Sequence, residues 1–353
     1  MKLPLVSFGI PTYNEESTIE RCLESIFSQD YPQDRLEVII IDDGSSDRTL
    51  EICARYPVRI IHQSGGKKEG ASGEAKQAFE GASGGPESGR RIGVEAAKGE
   101  FVVLFSADNE LACRDWLSRM VKPVVEDGEI TGVRPPVLAS REDSAINRYL
   151  ALMQIPPLEF YLMWRLRPPE KVTAKDGYFV EILAPDCYPA EIGGNGSLLR
   201  KDALLRVGNV PANGSDIDLI CSLVSEGFTK YAYVPKAVVY HHYVRSYWAF
   251  TKKLWGKVRW FLRYPREYPW LPRRRRDFFE MLKWVLFCSS FIGPLIHGFR
   301  LRKKGDLAWL YHPFACLTQV LIYGACFLTS KKGLSSVRGM VMAVVKGAEG
   351  GKK

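Results

Sequence analysis

The stretch Ile40-Ile41-Asp42-Asp43-Gly44-Ser45-Ser46-Asp47 lies where an apolar run, Leu36–Ile41, stops at two adjacent carboxylates and a glycine. This pattern predicts a strand buried on both faces of a parallel sheet and ending in a turn. Ligands of open α/β sheets bind beyond the carboxyl ends of the strands, so Asp42 and Asp43 are expected to face a polar small molecule. The alternative is that Asp42, Asp43 and Ser46 only cap the next helix.

The segments on either side predict a repeated strand–helix order. Before the acidic turn come a strand at Leu5–Ile10 and an amphipathic helix over 19–27; after it come a helix capped by Ser46 and running to Tyr56, and a strand at Val58–Ile61. The order is therefore βαβαβ, which is typical of a doubly wound α/β fold. The elements predicted further along are a helix around Arg91–Lys98, a strand at Phe101–Phe105, a helix at Leu111–Glu126, a strand near Ile130–Val133, an irregular stretch to about Pro189, a helix at Asp216–Glu226 and a strand at Tyr231–Tyr240.

Composition and charge restrict the class of protein. The chain has 353 residues, 46% of them hydrophobic, with a formal net charge of +9 that is concentrated from Arg245 onward. This predicts a globular chain with a basic C-terminal part. The eight cysteines form no CxxC pair, which favours free thiols in a reducing compartment over a zinc ribbon or a disulfide framework. Met1–Pro4 is too short for the apolar core of a signal peptide, so the N-terminal part is expected in the cytoplasm.

The C-terminal part combines aromatic and basic residues at helical spacing. Trp248, Leu254 and Trp255 alternate with lysines, which predicts an amphipathic helix in a membrane interface; the alternative is a helix that packs in the core with a solvated basic face. Two hydrophobic stretches follow, Trp284–Phe299 and Leu307–Thr329, and the second approaches the ~20 residues of a spanning helix. If both spanned, the basic loop 300–304 would lie opposite the catalytic part, so a re-entrant or interfacial first stretch is the alternative.

The predicted organisation has three parts. Residues 1–245 form a catalytic domain, with a donor half at about 1–110, an acceptor half at about 111–245 and a mobile, glycine-rich loop over 63–90. Residues 246–280 form basic amphipathic interfacial helices, and residues 281–353 form hydrophobic membrane helices and a basic tail. The loop is expected to close over a bound donor.

Five motifs in order resemble those of family 2 glycosyltransferases with the GT-A fold. They are PTYNEE at Pro11–Glu16, IDDGSSD at Ile41–Asp47, GRRIGVEAAKGEFVVLFSADN at Gly89–Asn109, GGNGSLLRKDAL at Gly193–Leu204 and SDIDL at Ser215–Leu219. The resemblance covers roughly Val6 to His242. It implies a Rossmann-like nucleotide-diphospho-sugar transferase domain of α/β class, here followed by a C-terminal α-helical, membrane-associated region.

The resemblance implies a donor-nucleotide site on three strand ends. Asp43 matches the residue that accepts a hydrogen bond from the nucleobase, and a carboxylate suits the imide N–H of uracil or guanine because it only accepts. Arg90 and Arg91 lie where the family has residues that contact the diphosphate, although solvated surface arginines are the alternative reading. The donor-binding residues predicted in this way are Pro11, Thr12, Tyr13, Asn14, Glu15, Asp43, Arg91, Ala107 and Asp108.

The resemblance also implies a divalent metal, Mg²⁺ or Mn²⁺, at the diphosphate. Asp108 matches the last acid of the family's Asp-x-Asp signature, whose first acid is replaced here by Ser106. His242, or else His241, is the second predicted ligand, with a structural or acceptor-facing role as the alternative. Asn109 and Glu110 are further candidates for compensating the lost acid, and the alternative for Asp108 is that it caps a helix starting at Leu111.

The proton acceptor is expected at Asp216, which matches the aspartate of the family's Glu-Asp pair; the partner glutamate is Ser215 here. Asp216 is then the general base that deprotonates the acceptor hydroxyl, and N-capping is the alternative. Gly194, Asn195 and Gly196 resemble an acceptor-side turn, and Asp218 is the fallback base or an acceptor contact.

These expectations describe an inverting glycosyltransferase at the cell membrane, with its catalytic domain on the cytoplasmic face. Its partners are a UDP- or GDP-sugar, a lipid-linked acceptor and membrane lipids, and no nucleic acid is expected because the basic residues alternate with lipid-suited apolar stretches. The alternatives are a polyprenyl-phosphate sugar synthase, in which a lipid phosphate attacks directly, and a non-catalytic scaffold suggested by Ser106 and Ser215.

Overall fold

A computed structural model describes residues 3–63, 86–153, 168–184, 195–207, 216–263, 275–301, 305–331 and 334–335. The chain divides into two compact units. Unit 1 consists of Met1–Leu138 and Arg167–His242, and unit 2 consists of Ala139–Leu166 and Tyr243–Lys353. Most of the predicted loop over 63–90 lies outside the described residues.

Unit 1 begins with the predicted βαβαβ order. Its parallel strands lie side by side in the order β3-β2-β1-β4. The strands are β1 (Val6–Thr12), β2 (Leu36–Asp42), β3 (Arg59–His62) and β4 (Phe101–Leu104), and the helices are α1 (Ile19–Phe27), α2 (Thr49–Cys53) and α3 (Pro86–Ala96). The helix expected around Arg91–Lys98 therefore begins earlier, at Pro86.

The central strand β2 is covered on both faces, as its apolar run predicts. Val38 and Ile40 pack in one buried cluster, while Ile39 and Ile41 pack in a second cluster on the opposite face. Successive side chains of a strand point to opposite faces, so an uninterrupted apolar run requires helices on both sides. The sheet of unit 1 is thus the middle layer of an α/β fold, which confirms the predicted class.

The sheet continues past β4 with strands of mixed direction. Among the described residues its nine strands have the order β3-β2-β1-β4-β10-β6-β11-β9-β8, and a second sheet has the order β5-β12-β7. The bounds are β5 (Asn109–Leu111), β6 (Gly132–Arg134), β7 (Val137–Leu138), β8 (Lys171–Ala174), β9 (Phe179–Ile182), β10 (Ser197–Arg200), β11 (Lys230–Tyr233) and β12 (Val239–His241). The helices of this half are α4 (Trp116–Glu126), α6 (Lys201–Arg206) and α7 (Asp216–Ser225).

Three sequence predictions in this region are wrong. The strand expected at Tyr231–Tyr240 is divided into β11 and β12, which belong to different sheets. The helix expected to start at Leu111 starts at Trp116, because Asn109–Leu111 pairs with β12 as a strand. The stretch expected to be irregular as far as Pro189 contains the antiparallel pair β8 and β9. All four residues of β8 are exposed, so this edge strand carries no apolar alternation by which the sequence would reveal it.

A buried ion pair joins the far strands of the sheet. Arg134 contacts Glu181 through two hydrogen bonds, Nε to Oε2 at 3.0 Å and Nη2 to Oε1 at 2.8 Å. The two side chains are only 13% and 7% exposed, and the guanidinium also lies 4.1 Å from the ring centre of Tyr233. The pair therefore links β6, β9 and β11. The edge of the guanidinium donates hydrogen bonds to Glu181, and its face lies over the ring of Tyr233.

Unit 2 is helical. Its core contains side chains from the mid-chain helix and from the C-terminal helices, among them Ile146, Tyr149, Phe250, Leu254 and Trp309. The helices are α5 (Ala145–Met153), α8 (Tyr247–Arg263), α9 (Arg275–Ser289), α10 (Ile292–Leu301) and α11 (His312–Thr329), with a 3₁₀ turn at Leu307–Tyr311. One face of the predicted basic helix, now α8, thus packs in a core, whereas Trp248 on it is 78% exposed.

The two predicted hydrophobic stretches differ in shape. Leu307–Thr329 is long and apolar enough to cross a membrane, and only 33% of its apolar window is buried. The stretch predicted at Trp284–Phe299 is bent by 84° between Leu282–Ser289 and Ile292–Arg300. Phe291, at this break, has a φ of 57°. The bend fits the re-entrant or interfacial alternative better than one straight spanning helix.

Candidate functional site

The turns after β1 and β2 are held together by hydrogen bonds between them. The Asn14 carboxamide oxygen accepts from the Ser46 backbone N–H at 2.8 Å, and the Asn14 N–H donates to the Ser45 hydroxyl at 3.0 Å. The Glu15 N–H donates to the Thr49 hydroxyl at 2.8 Å. Asn14 has a φ of 53°, a conformation that asparagine tolerates better than most residues. The predicted PTYNEE and IDDGSSD motifs therefore form one surface.

Asp42 shapes the turn, and Asp43 follows it. Asp42 is 1% exposed, and its carboxylate accepts from the N–H groups of Gly44 and Ser45, each at 3.1 Å. Gly44 has a φ of 87°, which an L residue with a side chain rarely adopts. The Asp43 N–H donates to the Thr12 carbonyl at 2.9 Å, and its side chain is partly exposed. The buried Asp42 thus supports the turn, and of the two carboxylates expected to face a ligand only Asp43 is accessible.

The helix after this turn begins later than predicted. Ser46 does not cap it; the Asp47 carboxylate accepts from the Thr49 N–H at 3.0 Å, and α2 starts at Thr49. The helix also ends at Cys53, short of the predicted Tyr56. The reason is that Ser46 donates its N–H to Asn14 and therefore belongs to the turn between the two strand ends.

Predicted donor residues occupy different environments on this edge. Tyr13 is 58% exposed, whereas Thr12 and Ala107 are buried. Pro11 lies against α3, where a Cβ on Gly89 would come within 2.9 Å of the proline ring, so only glycine allows this approach. Arg91 on α3 pairs with Glu95 at 3.0 Å, and both side chains are solvent-accessible.

Asp108 faces a histidine from β12. Its carboxylate oxygen Oδ1 lies 3.4 Å from Nε2 of His241, and its carbonyl accepts from the His242 N–H at 2.8 Å. The helix-capping alternative for Asp108 is excluded, because residues 109–111 are a strand and α4 begins only at Trp116.

His242 faces a different group. Its Nε2 lies 3.0 Å from Glu110 Oε2 and 3.5 Å from an Arg21 guanidinium nitrogen. Side chains alternate along an extended chain, so His241 and His242 point to opposite sides. The structure therefore pairs Asp108 with His241, whereas the sequence assigned the metal to Asp108 and His242. The metal role of His242 stays a prediction.

The residues near Asp108 fit a metal only in a site completed by substrate. In the described parts of the chain, no group of three His, Cys, Asp or Glu side chains is placed to hold a metal ion. Mg²⁺ bound with nucleotides usually takes one or two carboxylates and completes its shell with substrate phosphates and water. One carboxylate with an imidazole beside it fits that smaller requirement.

Asn195 joins the β4 end to β12. Its Oδ1 lies 3.3 Å from the Ser106 hydroxyl and 3.2 Å from Asn109 Nδ2, and its own Nδ2 lies 3.4 Å from His241 Nδ1. Gly196 follows with a φ of 96°, and its N–H donates to the Leu104 carbonyl at 2.7 Å. The sequence assigned Asn195 and Gly196 to the acceptor; the structure places this carboxamide in the network around Asp108.

A buried cysteine lies beneath this network. Cys22 on α1 is fully buried, and its Sγ is 3.8 Å from the Ser106 carbonyl. Burial, and after it the negative charge of Asp108, raises the pKa of the Cys22 thiol well above its ordinary value. The thiol therefore stays protonated, and Cys22 is a free cysteine as predicted.

Two residues at the end of β3 were missed by the sequence reasoning. His62 Nδ1 lies 3.4 Å from Asp42 Oδ2, and the neighbouring Gln63 is buried with no hydrogen-bond partner for its Nε2 among the described residues. Ligands of open α/β sheets bind beyond the carboxyl ends of the strands, and β3 lies parallel to β2 in the same sheet. The end of β3 therefore belongs to the same edge as the ends of β2 and β4, and this signal could have identified both residues.

The predicted acceptor side is described only in part. Asp216 is the first residue of α7, and Asp218 lies in the first turn; the structure describes their backbone but not their side chains. Gly194 lies outside the described residues. The predicted roles of these residues therefore stay predictions.

Comparisons with known proteins agree with the motifs. Residues 7–172 match the model of the family described as Glycosyl transferase family 2. Glycosyltransferase AglE of Haloferax volcanii is 29% identical over 153 residues, which are 41% of this chain and 46% of the relative. The dolichyl N-acetyl-alpha-D-glucosaminyl phosphate 3-beta-D-2,3-diacetamido-2,3-dideoxy-beta-D-glucuronosyltransferase of Methanococcus voltae is 24% identical over 245 residues, 68% of this chain and 67% of that one.

A solved structure is similar at lower identity. Mannosyltransferase PcManGT from Pyrobaculum calidifontis, in complex with GDP-Man and Mn²⁺, is 19% identical with a TM-score of 0.47 over 93% of this chain and 87% of that one. The family match covers the three strand ends described above, and the α/β sheet is that of the predicted GT-A class. Residues 7–172 therefore resemble a glycosyl transferase family 2 domain.

Proposed function

We propose that this chain is a glycosyltransferase that transfers a sugar, with inversion, from a UDP- or GDP-sugar to a lipid-linked acceptor at the membrane. The observation that carries the proposal is the meeting of three strand ends, Thr12–Glu15, Asp42–Asp43 and Ser106–Asp108, on one edge of the parallel sheet. That edge is where open α/β sheets bind their ligands, and it carries acceptor oxygens suited to a nucleoside.

The donor nucleotide is assigned to this edge. Asp43 accepts a hydrogen bond from the base, and the turn that presents it is fixed by the hydrogen bonds that the Gly44 and Ser45 N–H groups donate to Asp42. Uracil and guanine both offer an imide N–H to a carboxylate, whereas adenine does not, so uridine and guanosine donors are the expected classes. Arg91 at the start of the family's helix motif is the proposed diphosphate contact.

The metal is assigned to Asp108. Mg²⁺ or Mn²⁺ bound there would offset the charge that develops on the departing nucleotide diphosphate. The chain's own contribution is one carboxylate near the buried end of β4, with His241 at 3.4 Å and with the backbone of Asp108 held by the His242 N–H. The role of Ser106 is not that of a ligand in this arrangement, since its hydroxyl is directed to Asn195.

The chemical step is assigned to Asp216. Its carboxylate takes the proton of the acceptor hydroxyl while that oxygen forms a bond to the anomeric carbon and the bond from this carbon to the nucleotide diphosphate breaks. Attack opposite the leaving group inverts the anomeric configuration. Gly194, Gly196 and Asp218 are the proposed acceptor-side residues, with Asn195 beside them.

The acceptor class is inferred from unit 2 and from one relative. Large apolar side chains on its helices are exposed, including Leu286 at 61%, Ile292 at 67%, Leu321 at 62% and Leu328 at 65%. Such side chains suit lipid, and the basic residues of the same region suit lipid phosphates. The name of the Methanococcus voltae relative specifies a dolichyl-linked acceptor. We therefore propose a polyprenyl- or dolichyl-linked acceptor reached from the cytoplasmic face of the cell membrane.

The test is turnover by the full chain in detergent or nanodiscs. A panel of UDP- and GDP-sugars is supplied with Mn²⁺ and a polyprenyl-linked saccharide, and nucleotide release and lipid-linked product are measured. We expect turnover that falls at least about 100-fold in Asp108→Ala and in Asp216→Asn, because each removes a group that acts on the transition state. Asp176→Asn, at a 99% exposed carboxylate, is the matched control.

Three outcomes decide between functions. Turnover with a bare polyprenyl phosphate but not with the saccharide would replace the proposal with a lipid-phosphate sugar synthase, whose ionised acceptor needs no strong base. Donor binding without turnover across the panel would identify a scaffold. Full activity of Asp216→Asn would remove Asp216 from the chemistry.

A further inference from the structure

Hydrogen bonds around Asn195 form a network of five residues, Ser106, Asn109, Asn195, His241 and Asp108, in which the donor and the acceptor of each contact can be assigned. We propose that Asn195, held by Ser106 and Asn109, fixes the tautomer of His241 so that His241 donates a hydrogen bond to Asp108 and positions that carboxylate. The inference rests on the proposed function of Asp108 and adds positioning roles for the other four residues of the network. All five residues lie in unit 1.

The carboxamide of Asn195 is oriented by its neighbours. Its Oδ1 accepts from the Ser106 hydroxyl at 3.3 Å and from Asn109 Nδ2 at 3.2 Å. Nδ2 of Asn109 is a donor only, so it requires an oxygen opposite. Asn109 is 1% exposed and its Oδ1 has no hydrogen-bond partner among the described residues, so turning this amide over would bury an N–H group unpaired in place of an oxygen. Buried unpaired donors are the rarer case in proteins.

The orientation of Asn195 determines the proton position on His241. Nδ2 of Asn195 donates, so Nδ1 of His241, 3.4 Å away, accepts. A neutral imidazole that accepts at Nδ1 carries its proton at Nε2. That nitrogen lies 3.4 Å from Asp108 Oδ1, so the N–H is directed at the carboxylate. In this tautomer Nε2 has no lone pair to offer a metal, and His241 acts on Asp108 as a donor.

The backbone holds Asn195 in this place. Asn195 has a φ of 42° and the following Gly196 a φ of 96°, and the Gly196 N–H donates to the Leu104 carbonyl at 2.7 Å. A Cβ at Gly196 would come within 2.8 Å of a Val239 methyl group. The turn is therefore fixed against both β4 and β12, which carry the two ends of the network.

The orientation of Asn195 explains why residue 106 is a serine and not an acid. A hydroxyl at this position donates to Asn195 Oδ1, which an ionised aspartate, an acceptor only, is unable to do. An acid at 106 would face an acceptor and would favour the reversed amide, with Nδ2 toward residue 106 and Oδ1 toward His241. The reversed amide requires a proton on Nδ1 of His241. Ser106 and the Nε2-protonated tautomer thus belong together.

The first measurement is the nitrogen spectrum of histidine in the metal-free full chain, labelled with ¹⁵N-histidine. The chain has five histidines, and His241→Gln identifies the signal of His241. We expect a protonated Nε2 and a bare Nδ1 in the parent protein, and a protonated Nδ1 in Asn195→Asp, whose carboxylate accepts where the amide donated. A protonated Nδ1 with a bare Nε2 in the parent protein would overturn the proposal.

The second measurement is Mn²⁺ affinity, followed by the loss of the free Mn²⁺ signal in electron paramagnetic resonance with UDP or GDP present. We expect Asn195→Ala and His241→Ala to weaken Mn²⁺ binding about 10-fold or more, as removing partners that orient a metal ligand does. His241→Gln keeps an N–H donor near the Nε2 position and is expected to stay within about 3-fold of the parent protein, on the same reasoning. Equal losses in the Gln and Ala variants would show that His241 is itself a ligand and would overturn the positioning role.

The two measurements separate this inference from the proposed function. The tautomer is read without metal, donor or turnover, so an inactive chain with a protonated Nε2 would refute the transferase proposal alone. Ser106→Ala, which removes one of the two donors to Asn195 and no buried charge, is the second variant if Asn195→Ala does not fold. It is expected to raise the population of the Nδ1-protonated tautomer, and an unchanged spectrum in both Ser106→Ala and Asn195→Asp would overturn the proposal.

Discussion

Replacing Glu181 by leucine is expected to destabilise unit 1 by about 3–5 kcal/mol, the usual cost of removing one partner from a buried ion pair. The magnitude follows from the environment of Arg134. Its guanidinium is 13% exposed and donates two hydrogen bonds to Glu181, so the substitution removes the carboxylate that compensates this desolvated charge and keeps the contact with Tyr233 at 4.1 Å. A cation over an aromatic ring contributes about 2 kcal/mol when desolvated, which does not offset that loss.

The double substitution Arg134→Met with Glu181→Leu is the informative comparison. Apolar replacements of similar volume often match a buried pair in stability, so the double variant is expected within about 2 kcal/mol of the parent protein. The two single variants would then sum to far more than the double, which gives a coupling energy of at least about 2 kcal/mol.

Hydrogen exchange on peptides from β6, β9 and β11 measures the effect where the pair acts. Native-state exchange reports the free energy of opening for each segment, and it requires no two-state unfolding of a chain with two units. Asp176→Asn is the matched control, because Asp176 lies in the connection between β8 and β9 and pairs with Lys122 at the surface; solvent screens this exposed pair, so its loss is expected to change the opening free energy far less than Glu181→Leu does. Equal losses in Glu181→Leu and Asp176→Asn would refute the reasoning.

Three further predictions concern single residues. Gly196→Ala is expected to cost about 2–4 kcal/mol in thermal unfolding, because alanine is strained at a φ of 96° and its Cβ meets Val239 at 2.8 Å; an unchanged melting temperature would contradict this. The hydrogen bond from Lys230 lowers the pKa of Asp127 in the folded chain. The pair therefore stabilises the fold above the unfolded pKa of about 4, and this stabilisation is lost as pH falls through the lowered pKa. The free-energy cost of Asp127→Asn in unfolding, about 0.5 kcal/mol at pH 7, is expected to vanish near pH 2. Cys22 is expected to resist alkylation by iodoacetamide at pH 8 in the folded chain and to react after denaturation, as mass spectrometry of its peptide would show; labelling without denaturant would contradict the burial argument.

The donor edge was the part that sequence reasoning could predict. Uninterrupted apolar runs identify β1, β2 and β4 because both faces of a central strand must be buried, and the acidic turns that follow place Asp43 and Asp108 on one edge. These are local patterns, visible within about ten residues, and topology then brings their ends together.

The elements and contacts that the sequence did not predict depend on partners distant in the chain. Asn109–Leu111 becomes a strand only because β12, far along the chain, pairs with it, and local helical spacing misplaced the start of α4 for that reason. The choice between His241 and His242 beside Asp108 is set by the register of β12, which no local pattern reveals. The role of Asn195 depends on its contacts with Ser106, Asn109 and His241, none of which is near it in the sequence.

The composition of unit 2 has a consequence for how the chain is made. Helix α5 is synthesised within the stretch that matches the family, yet Ile146 and Tyr149 are buried by Phe250 and Trp309, which leave the ribosome on the order of 100 residues later. At about 5–20 residues per second this apolar face waits roughly 5–20 s for its partners. A fragment ending near residue 245, the obvious choice for a catalytic fragment, would leave the same face exposed permanently, so the C-terminal helices are required to complete the fold of a helix that precedes them in the sequence.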